Sequence, residues 1–306
     1  MTIVDVLKPP RGHRPLTVLT WASVALVLIT AVGLFADSRI LTGVPIWLKP
    51  FKFAVSFVVY SWTLAWLLSV LPKRSRVAEW SATVIVAMLV AEMAVIVTQV
   101  IRGTTSHYNE TTPLNATLWS IMGASIMVLF LAQLVISIVA LIQRIPDRAT
   151  AYAIRLGLFI SLLGMAAAFP MTSRKSLEGT IGAHSVGVSD GGPGLPITGW
   201  STVGGDLRIG HFVGLHALQA LPLLAYALNR WAGGRFDAVT RARLVLVAGL
   251  GYAVLVPLLT WQALRAQPLL QPDATTLAAF AALAVATLTG IGLVLNRARK
   301  PEMVTA

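Results

Sequence analysis

The 306-residue chain has no cysteine and little charge of either sign. Without cysteine there can be no disulfide, thiolate metal site, iron–sulfur cluster, covalently attached haem or cysteine nucleophile, so a transition metal or haem b would depend on His, carboxylate or weaker ligands. Charged residues make up only 12% of the chain, about half the share found in soluble domains. The HExxH spacing and the GxSxG turn are also missing, which removes two familiar signatures of hydrolytic chemistry. Ser106-His107 and His184-Ser185 place hydroxyl beside imidazole, but adjacency in sequence does not create a catalytic pair. No internal or inverted repeat stands out.

What is present is apolar residue, 56% of the total. Runs of about 20 such residues are long enough to cross a hydrocarbon core of roughly 30 Å as helices. Eight occur, at 16–35, 53–71, 81–101, 117–142, 152–170, 210–228, 244–262 and 277–296. Backbone groups in lipid must be paired within the segment, so each run is expected to be helical. The chain therefore reads as an all-α integral membrane protein, a single polytopic domain over 1–306 forming an eight-span bundle in a bacterial cytoplasmic membrane. The first run is too long for a signal-peptide core and lacks a convincing cleavage site, so it is expected to be retained.

A formal charge of +12 is also the footprint of a nucleic-acid binder, but membrane topology accounts for it without any such partner. With the N-terminus inside, the cytoplasmic segments carry Lys8, Arg11, Arg14, Lys73, Arg74, Arg76, Arg144, Arg148, Arg155, Arg230, Arg235, Arg241, Arg243, Arg297, Arg299 and Lys300, 16 of the 24 Lys and Arg. Both termini are then cytoplasmic, and the bilayer is the partner the charge pattern points to. Residues 171–209, Gly-rich but carrying Ile, Val, Leu and Trp200, form an extracytoplasmic loop between spans five and six. Its length and apolar content suggest an ordered lid. Two N-x-T patterns, at Asn109 and Asn115, read as chance matches to a glycosylation signal.

The unusual residues gather on the outer side. His107, His184, His211 and His216 all fall on outer loops or the outer half of span six, leaving His13 alone in the cytoplasmic leader. His211 and His216 are turned about 140° apart on a helix. This suggests that His216, with Phe212 and Gln219, faces the interior while His211 stands at a mouth. Glu92 lies about ten residues from the outer end of span three, roughly 15 Å deep, with Gln99 two turns away on the same face. A carboxyl at that depth is costly, so it points to a cavity, a partner or a function. Lys49 and Lys52, beside Trp47, Phe51 and Phe53, suit an interfacial aromatic belt. They also suit a basic rim with Arg102 and Arg208, partly neutralised by Asp206, that attracts a small anionic ligand from the extracytoplasmic side.

Three function classes follow. A metal- or haem-assisted membrane enzyme would use Glu92, His216 and Gln219 catalytically, His211 and His216 toward a cofactor, or His107, His184 and His211 as metal ligands. A transporter or ligand sensor would use Lys49, Lys52, Gln99, Arg102, Asp206 and Arg208 to bind a small molecule, with Glu92 as its proton-linked group. A structural or assembly role needs no site at all.

Overall fold

The computed structural model describes residues 12–175, 177 and 181–298. Lys8, Arg11, Arg299 and Lys300, part of the charge argument above, lie outside the described residues.

Among the described residues, eight helices are long and apolar enough to cross a membrane, and the chain is a polytopic helical membrane protein. The helices are α1 (Arg14–Ala36), α2 (Leu48–Val70), α3 (Arg76–Ile101), α4 (Pro113–Ile142), α5 (Arg148–Ala166), the short α6 (Phe169–Ser173), α7 (Arg208–Trp231), α8 (Ala238–Leu264) and α9 (Ala274–Ala298). Several begin four to six residues before the apolar run, because capping rather than hydropathy sets a helix start. Side chains of Ser75, Thr112, Asp147 and Asp237 accept from the backbone amides of Ala78, Asn115, Thr150 and Thr240. Each such cap contributes about 1 kcal/mol. The expected span 152–170 instead breaks, with α5 ending at Ala166 and α6 beginning at Phe169. Pro170 supplies the reason, since its ring would clash with the carbonyl four residues earlier.

Helix packing divides the chain into two compact units. The first takes the described residues of Met1–Gln143 with Arg174–Ala183 and Ser189–Gly192. Within it α1 lies along α2, α3 along α4, and α2 against α3. A hairpin of β1 (Ile40–Leu41) and β2 (Val44–Pro45) joins α1 to α2. Its turn places both Thr42 and Gly43 at positive φ, the twist that two-residue hairpin turns require. Trp47 Nε1 donates to Asp37 Oδ2 at 2.8 Å and its ring packs on Gly33, which closes this end of the α1–α2 pair.

The second unit takes Arg144–Ser173, His184–Val188 and the described residues of Pro193–Ala306. Here α5 and α7 pack most closely, both contact α8, and α9 rests on α8. A Cβ added to Gly214 would stand 2.4 Å from Gly164 Cα, and one on Gly210 would meet Thr260 and the Val256 carbonyl, so these helices touch backbone to backbone. Small residues permit that approach, and dispersion and polar contacts supply the attraction where lipid offers no hydrophobic drive. Strands β3 (Ser185–Val186) and β4 (Gly205–Asp206) pair antiparallel within the long loop.

Phe35, Leu28, Trp21, Ile142, Val285 and Leu288 are among many large apolar side chains left exposed. Water would penalise such surfaces, whereas a bilayer accepts them.

Candidate functional site

The packed face of α3 carries Glu92, Ile96 and Gln99, spaced one and two turns apart, and all three are buried. Glu92 is 2% exposed, and its Oε1 has no hydrogen-bond partner among the described residues. A buried polar atom left in this state costs free energy, so it calls for an explanation. Lys49, in the first turn of α2, is close enough for its charge to act on the Glu92 carboxyl. One turn beyond Glu92 along α3, Val95, Ile96 and Met122 form an apolar layer against which Phe53, Leu118 and Trp119 pack.

Above that layer Lys49 Nζ donates to His107 Nδ1 at 3.0 Å, and Ser106 Oγ lies 3.1 Å from the same nitrogen. A lysine ammonium only donates, so the contact requires an unprotonated Nδ1. The ring is held edge-to-face by Phe53 at 5.9 Å, and Trp119 lies 5.4 Å away with Tyr108 beside it. Loop residue Gly182, at φ +100°, sits where a Cβ would enter the Tyr108 ring, and Gly191 lies against the Thr42 backbone. Parts of the long loop thus cover the same end of this unit that carries Lys49 and His107.

Gln99 and Arg102 are engaged differently from the expected binding rim. Gln99 Nε2 donates to Asn115 Oδ1 (3.1 Å) and to the Thr105 carbonyl (3.2 Å), while Arg102 Nη1 donates to Gln99 Oε1 (2.7 Å) and Asn115 Oδ1 (2.9 Å). This network ties the end of α3 to the start of α4. Asn109 and Asn115 are buried with their amide nitrogens donating to Thr104, Thr105 and Thr111, so both N-x-T patterns serve the fold. Lys52 is half-buried one turn from Lys49.

In the second unit, the orientation expected for α7 is corrected. His216 is exposed, with Nδ1 3.3 Å from Gln219 Oε1, and it is Gly214, Ala217, Leu218 and Leu221 that face the packed interior. The inward stripe follows the small residues, because they allow α5 to approach. His211 is partly buried, and its Nδ1–H donates to the Gly164 carbonyl at 2.8 Å, fastening the glycine crossing. Asp206 is fully buried, accepting from Arg208 Nε and Nη2 and from the Ser201 amide, and Arg208 also reaches the Gly199 carbonyl. These two candidates hold the hairpin between Leu195 and Trp200 against the start of α7. His184 and His216 lie within electrostatic range of His211. Among the described residues, however, no three His, Cys, Asp or Glu side chains are grouped to hold a metal ion.

Three polar groups that the structure brings forward are absent from the candidate site residues read in the sequence. Asn115 completes the Gln99 network, Gln133 is fully buried and accepts from Tyr60 OH, and His13 is buried at the start of α1. Compared with protein-family models, curated proteins and solved structures, the chain has no match.

Proposed function

We propose that the protein carries a small anionic molecule across the membrane together with a proton, with Lys49 and His107 forming the ligand-facing pair and Glu92 the proton-exchanging carboxyl. The observation that carries this reading is Glu92 Oε1, buried, unpartnered and within the field of Lys49. In the unloaded state Glu92 is the counter-charge to Lys49. An anion arriving at Lys49 takes over that role, and Glu92 accepts a proton to avoid burying a second negative charge beside it. His107, accepting at Nδ1, holds the Lys49 ammonium 3.0 Å away on the ligand side. The apolar layer of Val95, Ile96 and Met122 keeps water from short-circuiting the two sites.

In this reading both termini are cytoplasmic, since the connections rich in Lys and Arg are retained on that side. The described residues of 174–183, with 189–192, act as the extracytoplasmic lid, a reading supported by Gly182 packed on Tyr108. His216, exposed, and its half-buried partner Gln219 take no part.

The test is uptake of a panel of small carboxylates and inorganic anions into proteoliposomes with and without a proton gradient. The expected result is gradient-driven uptake of at least one anion that is lost in Glu92→Gln and weakened in Lys49→Ala. Uptake by Glu92→Gln that still follows the gradient overturns the role of Glu92, and failure of the wild type with every anion overturns the reading.

A further inference from the structure

His13 lies just before α1 and is only 6% exposed. Its Nδ1 accepts from the Leu16 amide at 3.3 Å, capping α1, while Nε2 lies 2.9 Å from the Glu79 carbonyl and 3.2 Å from Thr83 Oγ1, both on α3. A carbonyl only accepts, so Nε2 carries a hydrogen; an amide only donates, so Nδ1 carries none. The two contacts together specify one neutral tautomer. A proton added at Nδ1 sets N–H against N–H and removes the cap, leaving the contact to α3 in place.

We propose that His13 is a pH-sensitive latch that, held on α3 through Nε2, caps the first turn of α1 when neutral and lets that turn open when Nδ1 gains a proton. Among the described residues, the charged groups around it are Arg14 on α1, Arg74 in the turn before α3, and Arg76 and Glu79 in the first turn of α3. Glu79 pairs with Arg74 at 2.5 Å, which neutralises the one carboxylate among the described residues around it that would favour an imidazolium. Burial holds the His13 pKa below its ordinary value, more strongly than the Glu79 carbonyl and carboxylate raise it. The folded state therefore favours the neutral ring. The cap is intact above the ordinary histidine range and is lost as pH falls through the lowered value. A surface cavity of about 250 Å³ is bordered by Gly12, the residue before His13, and by Leu68, Leu71, Arg74 and Glu79, which leaves open space beside the start of α1.

The experiment is hydrogen exchange on the full chain in nanodiscs, corrected for intrinsic rates, at about pH 7.5 and about pH 5. In the wild type the Leu16 and Thr17 amides should lose about tenfold or more of their protection at the lower pH. His13→Asn supplies a capping oxygen that does not titrate, and should keep protection at both values. Nitrogen NMR of the wild-type imidazole adds a readout that needs no variant, with a bare Nδ1 expected at neutral pH. Equal wild-type protection at the two pH values, the same pH response in His13→Asn, or a hydrogen on Nδ1 at neutral pH would each overturn the latch.

Discussion

In the first unit the packed face of α3 presents Glu92 and Gln99, and that of α4 presents Asn115 and Gln133. In the second, the packed face of α7 presents Gly210, Gly214 and Ala217, and that of α5 presents Gly157 and Gly164. The buried carboxyl and amide of the second unit, Asp206 and Gln262, lie in the loop and at a helix end rather than at mid-helix. Lipid is as apolar as leucine, so helices associate through close backbone contact or through polar groups that have nowhere else to bond. The second unit relies on the first means, and its polar side chains serve the architecture. The first unit uses polar networks and holds an ionisable group at mid-helix, Glu92, whose Oε1 has no hydrogen-bond partner among the described residues. The unpartnered Gln262 Oε1 of the second unit belongs instead to a neutral amide near a helix end. That difference is why the functional reading rests on Glu92 and not on the histidines of α7.

The comparison breaks most severely at the glycine crossing. Gly214→Val should cost at least about 2–3 kcal/mol, because an overpacked contact between two backbones has no side chain to move aside. Gly123→Val, with nothing within 4 Å of a new Cβ, should change stability by less than about 1 kcal/mol. Thermal unfolding in detergent measures both, and equal losses would remove the crossing from the account. In the first unit, Gln99→Leu should cost about 2 kcal/mol by stranding partners on Arg102, Asn115 and Thr105, measured by the same melt.

A finer contrast lies between two histidines on one helix. His211→Ala should lose about 1 kcal/mol with its bond to the Gly164 carbonyl, whereas His216→Ala should fall within about 0.5 kcal/mol of the parent. Unfolding curves with the order reversed would place the structural histidine wrongly. The smallest effect is shared by the units. Hydrogen bonds from the Arg39 side chain and backbone, then Trp47, hold the Asp37 carboxyl below its ordinary value near 3.8; the Thr276 amide and then Arg265 do the same for Asp273. Both therefore bind fewer protons folded than unfolded. The stability they contribute is complete above about pH 4 and is lost as pH falls below it. An acid titration of stability should show this slope reduced by small amounts in Asp37→Asn and Asp273→Asn, since the first group is partly exposed and the second exposed to solvent.

Run length in the sequence was enough to mark all eight membrane helices, because a bilayer imposes length and backbone pairing on any segment that crosses it. The shared face of Glu92 and Gln99 was also legible from their seven-residue spacing. The facing of α7 was not. Lipid and a packed interior are equally apolar, so the hydrophobic pattern does not distinguish them, and the informative signal was the series Gly210, Gly214, Ala217. Lys49 and His107 are separated by 58 positions, and nothing in either segment announces the other. His13 looked like part of a solvated basic leader, since a cap in the residue before a helix can be seen only when the partner carbonyl of Glu79 is in place.

The central claim, that Glu92 exchanges a proton inside the first unit, is tested most directly by pH-titrated infrared difference spectroscopy of the reconstituted protein. The account predicts a titrating carboxyl band that disappears in Glu92→Gln and whose midpoint moves in Lys49→Ala. Wild-type and Glu92→Gln spectra that superimpose across the whole titration would contradict it.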